Sequence, residues 1–393
     1  MREKVEIYPY DKRIKRLLVR IKNSPIDPTT KKSILEFYYD SLARGLTKAR
    51  LVKYLYILFR IATLLKKPVA KTTKNEISNF VQKLEGKKYS EWTKHDYKVI
   101  LKIFYRWLRK TEEYPEEVKW IKTNVRNNHL LPDEILTETE IKTMTQCAIN
   151  FRNKAFILVL YESGCRIGEI LTLRIKNVHF DSYGAVLLVT GKTGDRRVRI
   201  IAATPKLSSW IENHPRKDDP DAPLWVSLST NNLYGFFSYP AAKKMLKETA
   251  KKAGIKKRIY PHLFRHSRAT FLANFLTESQ LKQHFGWVQS SGMASVYVHL
   301  SGRDVDNALL KLQGIKIDKE KREPVLEIVL CQRCSEKNSP TSKFCMRCGS
   351  PLDLKGVFKV DELRTKADKL MSALIKDPDI LEKLLNKLEN IQS

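Results

Sequence analysis

Helix-period apolar stripes run through most of this chain, and they yield to strand alternation only once, between Val178 and Ile201. Ile14, Leu17, Leu18 and Ile21 make one stripe. Leu51, Tyr54, Leu55, Leu58 and Ile61 make another, with the three- and four-residue steps that place side chains on one helix face. Thr73 with Glu76, and Thr137 with Glu140, have the spacing of a capping box, in which side chains satisfy N–H groups that a helix start leaves unpaired. Tyr97, Ile100, Leu101, Phe104, Trp107 and Leu108 follow at helical intervals and read as core rather than as a stacking platform for bases. The fold class that follows is mainly α with a small β-sheet.

A chain of 393 residues exceeds one ordinary domain. Residues 1–112 read as a helical domain and 113–134, rich in Glu and Asn and holding Pro115 and Pro132, as a linker. A second domain spans 135–318. In it the apolar run Ala155 to Tyr161 reads as a buried helix ending near Gly164. Ala185 to Thr190 and Arg197 to Ile201 read as a hairpin carrying Lys192 at its tip. After Pro205 helical patterns resume to about 315, Ala241 to Ala253 among them. Cys147 and Cys165 read as lone cysteines within helices.

Lys and Arg number 73 against 43 for Asp and Glu, a net charge of +30 that draws a polyanion to the surface. Nucleic acid is the expected partner, although solvated lysines alone produce such a count, and charge bears on affinity rather than chemistry. No run of eighteen apolar residues occurs, and Met1 to Tyr10 is charged. The expectation is a cytoplasmic, nucleoid-associated protein with no membrane partner.

Two arginines, a lysine and a histidine suffice to hold a phosphodiester and stabilise the charge of its transition state, and a tyrosine hydroxyl can attack the phosphorus. Arg166, Arg265, Lys192, His262 and Tyr297 supply that set and need no metal for the chemistry. A single arginine is ordinarily a surface ion-pair partner and most of the 16 tyrosines must be structural, so context has to select these residues.

Arg166 stands in Ser163-Gly164-Cys165-Arg166-Ile167-Gly168-Glu169, residues 262 to 266 read His-Leu-Phe-Arg-His, and Tyr297-Val298-His299 follows. In these three boxes, and in their order, the sequence resembles the tyrosine recombinase (phage integrase) family. The resemblance covers residues 135 to 310, and the helical N-terminal part is similar to the family's core-binding domain. It implies that Arg166, His262 and Arg265 grip the scissile phosphate, that Tyr297 forms a 3′-phosphotyrosyl link, and that Lys192 is the general acid for the departing 5′ oxygen. Trp287 falls where the family carries His or Trp, supporting the phosphate or packing the nucleophile's helix, and Glu169 matches an acidic residue that orients the first arginine. Phe285-Gly286-Trp287 stands where many members have Leu-Gly-His, and the interval to Tyr297 is longer than common. The tail from Tyr297 to Asp304 is most similar to archaeal or archaeal-virus integrases.

The implied activity is site-specific recombination of double-stranded DNA, by four protomers with accessory proteins, in integration or excision of a mobile element. A type IB topoisomerase-like or resolvase enzyme is the alternative within the same chemistry. A non-cutting DNA-binding regulator is the alternative outside it. No cofactor serves the reaction.

Cys331-x-x-Cys334, ten residues and Cys345-x-x-Cys348-Gly349 have the spacing of a zinc ribbon, so residues 325–355 are expected to bind a structural Zn²⁺ rather than to form disulfides. Neighbouring Lys and Arg suit DNA, and a protein partner fits nearly as well. Residues 360–393 read as amphipathic helices divided near Asp377-Pro378.

Overall fold

The structure, a computed structural model, describes residues 7–65, 67–124, 134–191, 194–300, 312–313, 325–352, 365–369 and 371–372. Its contacts separate two units, Met1–His129 and Leu130–Ser393. The first unit packs helices α1 (Tyr10–Lys22), α2 (Pro28–Ala43), α3 (Lys48–Leu65), α4 (Lys74–Glu85), α5 (Glu91–Arg109) and the short α6 (Glu116–Lys119). Each stripe predicted from spacing faces inward, so that Ile21, Leu51, Leu55, Ile61, Leu101 and Phe104 form one core. Local chemistry starts these helices: Asp27 accepts from the Thr30 N–H ahead of α2, and Thr73 with Glu76 forms a complete capping box on α4. Val118 and Ile121, within the stretch read as linker, are also buried in this core.

The second unit begins with α7 (Glu138–Cys147), α8 (Phe151–Ser163) and α9 (Ile167–Leu171), then a three-stranded antiparallel sheet of β1 (Val178–Asp181), β2 (Gly184–Gly191) and β3 (Gly194–Ile200). Helices α10 (Thr204–Glu212), α11 (Tyr239–Lys252), α12 (Pro261–Leu272), α13 (Glu278–Phe285) and α14 (Met293–Leu300) follow. Gly191 pairs with Gly194, which sets the hairpin predicted around Lys192; residues 192 and 193 themselves lie outside the described residues. Nearly every side chain of α8 is buried, as its unbroken apolar run requires.

Two expectations are corrected. Cys165 is not helical, because Gly164 ends α8 in the left-handed region at φ 56° and the chain then extends to Arg166. Gly164 is also pressed against Phe285, whose Cε1 would lie 2.4 Å from an added Cβ, so position 164 excludes a side chain twice over. Helical structure does not run unbroken after Pro205: between Asn213 and Ser238 the chain is a loop with one 3-10 turn at Thr230–Asn232. Pro215, Pro220 and Pro223 lack the N–H that a helix interior needs, and the backbone pairs Arg174 with Pro223 and Val226 with Phe236 instead.

A two-stranded ribbon, β4 (Val329–Leu330) with β5 (Lys337–Asn338), lies against this unit. The Lys206 ammonium donates to Ser342 Oγ at 3.2 Å, and Lys337 donates to the Ser182 carbonyl in the β1–β2 turn. The Glu138 carboxylate accepts the Val325 N–H at 2.8 Å. Of the amphipathic tail, 365–369 and 371–372 are described and helical, and the remainder lies outside the described residues. Among the described residues no helix is long and apolar enough to cross a membrane.

The buried Glu162 carboxylate connects α8 to the sheet and to α10 by accepting the Ile201, Ala202 and Ala203 N–H groups at 2.7, 3.0 and 2.7 Å. Three donors on one anion compensate its burial and cap α10. Glu162→Ala is expected to destabilise the second unit by about 3 kcal/mol, read as a lower urea midpoint, because it leaves buried donors unpaired. An unchanged midpoint contradicts that role.

Candidate active site

Arg166 closes the break after α8 and stands at the start of α9. Its backbone N–H donates to Glu169 Oε2 at 2.8 Å and its Nη1 to Oε1 at 3.0 Å, so one carboxylate fixes both ends of the residue. The guanidinium is 34% exposed, open enough to meet a ligand. Glu169 is 4% exposed and is held from the other side by Arg196 of β3, at 3.0 and 2.8 Å. Burial pushes the Glu169 carboxyl up, but the hydrogen bonds from Arg196 and Arg166 outweigh that and keep it below its ordinary value. It is therefore an anion in a cationic pocket.

Arg265 lies on α12 and is 2% exposed. Nη1 donates to the Gly164 carbonyl at 2.9 Å and Nη2 to the Phe285 carbonyl at 2.7 Å, which ties α12 to the α8 terminus and to α13. Its guanidinium carbon stands 5.0 Å from the Phe285 ring and 5.4 Å from Trp287. Burial and the neighbouring Arg166 charge bring it down to about 10, still protonated at neutral pH. His262 begins the same helix, and burial, His266 and the two arginines depress it to about 4. In the free protein it is neutral.

Tyr297, on α14, is 4% exposed. Its ring lies parallel to Trp287 at 5.4 Å and 2°, and Trp287 stacks on Phe285 at 4.9 Å and 22°. The hydroxyl is hydrogen-bonded to Nδ1 of His266, which meets His262 edge-on at 4.6 Å. Burial pushes the phenol up to about 12 against the opposing pull of Arg265. Positive neighbours alone thus do not ionise it.

Six of the residues selected from the sequence, Arg166, Glu169, His262, Arg265, Trp287 and Tyr297, are linked in one continuous set of contacts. Lys192 lies outside the described residues. Sequence reasoning missed Arg196 and gave His266 no role. Strand parity marks Arg196: it shares a face with the buried Val198 and Ile200, and a charge on an inward face demands a partner. His266 follows His262 by four residues and so falls on the same face of α12.

The four cysteines of the ribbon also converge. Their Sγ atoms all lie within 4.8 Å of one another, with Cys331–Cys348 at 3.6 Å and Cys334–Cys345 at 3.5 Å. A disulfide needs about 2.05 Å between its sulfurs, so all four remain free thiols or thiolates.

Residues 134–303 match the phage integrase family and residues 330–352 match the zinc-ribbon domain. The chain is 26% identical to tyrosine recombinase XerA of Pyrococcus furiosus over 286 residues, 72% of this chain and 95% of that protein. It is 28% identical to tyrosine recombinase XerD of Lacticaseibacillus casei over 215 residues, 52% of this chain and 70% of that one. The fold resembles XerH recombinase in a post-cleavage complex with its difH substrate, at TM-score 0.55 and 18% identity over 80% of this chain and 98% of that one. It also resembles lambda integrase solved as a tetramer on a Holliday junction, at TM-score 0.55 and 18% identity over 74% and 82%. The pocket of Arg166, Arg265 and Tyr297 therefore lies within a phage integrase family domain, joined to a zinc-ribbon domain in a chain homologous to the tyrosine recombinases.

Proposed function

We propose that this chain is a site-specific tyrosine recombinase that cuts and rejoins duplex DNA through Tyr297. One observation carries the reading: a buried phenol and two guanidiniums belong to a single connected pocket, with Tyr297 stacked on the ring that Arg265 covers. Arg166 and Arg265 present planar forks to the non-bridging oxygens, and their grip strengthens as the phosphorus gains charge. Glu169 and Arg196 orient Arg166. His262 donates to the phosphate, while Trp287 holds the plane of the nucleophile's ring. Tyr297 Oη bonds to phosphorus, the P–O5′ bond breaks, and the 5′ oxygen leaves as a hydroxyl with a proton from Lys192. The 3′-phosphotyrosyl bond conserves the energy of the broken linkage, so attack by a 5′ hydroxyl of another strand reverses the step.

Four protomers on two duplexes is the proposed assembly, acting in integration or excision of a mobile element in the cytoplasm. It draws on relatives solved on DNA as dimers and tetramers. The net charge of +30 fits a partner whose affinity depends on released counterions. Domain limits are proposed as first read for 135–318, 325–355 and 360–393, while α6 and the buried Val118 and Ile121 carry the first domain past 112 into the stretch 113–134 read as linker.

For the ribbon we propose a structural Zn²⁺ held by Cys331, Cys334, Cys345 and Cys348. Four sulfurs at the usual ~2.3 Å from a tetrahedral zinc stand about 3.8 Å apart, and the observed sulfur separations of 3.5 and 3.6 Å suit it. All four positions are thiolates, which leaves no open site for chemistry.

Four outcomes are expected. On a suicide duplex in EDTA the wild-type chain gives a covalent protein–DNA band and Tyr297→Phe gives none; a band from the mutant rejects Tyr297, and no band from either favours a non-cutting DNA-binding regulator. Arg166→Ala is expected to cut about 10²–10³-fold more slowly while binding DNA nearly as well, since its contacts tighten in the transition state; equal losses of both contradict that role. The purified chain is expected to hold one zinc per molecule and to lose it in Cys331→Ser/Cys345→Ser, with protease sensitivity appearing near the ribbon while cutting persists.

The fourth outcome concerns pH. With His262 at about 4 when folded and about 6.5 when unfolded, the unfolded chain takes up a proton that the folded chain refuses. Stability therefore falls as pH drops from 6.5 towards 4. Bound phosphate reverses the field, so NMR titration of His262 is expected to give a higher pKa with a DNA duplex than without. An unmoved titration removes His262 from phosphate contact.

A further inference from the structure

The Tyr297 hydroxyl is bonded not to His262 but to the histidine directly after Arg265. Helices α12 and α14 pack together, and they bring His266 Nδ1 to the phenol while Trp287 fixes the ring plane from the side. No other hydrogen bond to this hydroxyl is present among the described residues. Ring plane and the hydroxyl's hydrogen-bond partner are thus both set before DNA arrives.

Resting on the assignment of Tyr297 as nucleophile, we propose that His266 is a catalytic residue, the base that takes the phenol proton during strand cleavage and returns it during rejoining. With its ring proton on Nε2, His266 offers the Nδ1 lone pair to the hydroxyl. As Tyr297 Oη forms its bond to phosphorus, the O–H bond breaks and the proton passes to Nδ1, while the P–O5′ electron pair leaves with the 5′ oxygen. In the return step the 5′ hydroxyl attacks phosphorus and gives its proton back to the general acid that supplied it, the tyrosyl oxygen departs, and His266 hands its proton back. No oxidant, metal or further reactant enters.

Three features of the pocket suit this role. The phenol at about 12 is un-ionised at neutral pH and needs a base. Burial and Arg265 hold His266 below its usual value, so its lone pair is free to accept. A proton arriving on His266 would be opposed by Arg265 in the resting pocket, but it arrives as the phosphorus centre gains negative charge, which offsets the repulsion. His262, edge-on to His266 and near both arginines, is left free to donate to the phosphate.

The test uses His266→Asn, whose amide reaches near the Nδ1 position and keeps a hydrogen-bond partner for the phenol but accepts no proton. His266→Gln is the second variant. Each is assayed at single turnover on a suicide duplex, and on the same duplex with a bridging sulfur in place of the scissile 5′ oxygen, whose departure needs no proton. DNA binding by gel shift reports folding. Both substrates are expected to be cut about 10²–10³-fold more slowly with binding unchanged, because the lost step lies on the nucleophile side. Rates within about threefold of wild type, or a defect that the sulfur substrate restores, overturn the proposal and leave the nucleophile assignment standing, since a base of this kind is worth more than that. Loss of DNA binding in both variants assigns His266 a structural role and also overturns it. A covalent band from Tyr297→Phe removes the nucleophile assignment itself.

Discussion

Three guanidiniums and two histidines crowd this pocket, and one buried carboxylate permits it. Glu169 accepts from Arg166 and Arg196 through both oxygens, so the pair that would repel across the break after α8 is instead held by a shared anion. Burial of a lone carboxylate is costly, and burial of an unpaired arginine no less so; paired, they hold charged geometry around the buried Glu169 while Arg166 stays partly open. Burial first, and the neighbouring positive charges second, depress Arg265 and His262. Of the donors here, the Arg166 guanidinium is the one both held in place and open, at 34% exposure.

On the other side of the pocket, stacking does what charge cannot. Phe285, Trp287 and Tyr297 lie ring on ring, and the Arg265 guanidinium stands over the first two, so the plane of the Tyr297 ring is coupled to Arg265 through aromatic contact. Gly164 is part of the same construction, because only a residue without a side chain lets the α8 terminus approach Phe285 this closely. The ribbon bonds to the β1–β2 turn, at the opposite end of β2 from Gly191. A zinc held by its four cysteines, as proposed, would serve the fold rather than the reaction.

Much of this was legible before any coordinates. Helical stripes announce the cores because apolar spacing is a local property, and Ile14, Leu17, Leu18 and Ile21 pack into the core as read. The Thr73 and Thr137 capping boxes formed as read for the same reason. Arg166, His262, Arg265 and Tyr297 stood out through three ordered motifs. What escaped depends on contacts across long sequence distances. Arg196 looks like one more basic residue in a strand until β3 turns it toward Glu169, and the pairing of Tyr297 with His266 rather than His262 is decided by how α14 lies on α12. The loop from Asn213 to Ser238 was misread because its apolar residues, Leu224, Trp225 and Val226, are buried as a core helix's would be, while three prolines prevent the helix.

The central claim is that one phenolic oxygen faces a phosphorus held by Arg166 and Arg265. Mass spectrometry of the covalent adduct, after exhaustive nuclease and protease digestion, addresses it most directly. The account predicts nucleotide left on the peptide that contains Tyr297 and attached through a 3′ phosphate. Nucleotide on any other residue, or attachment through a 5′ phosphate, would contradict it.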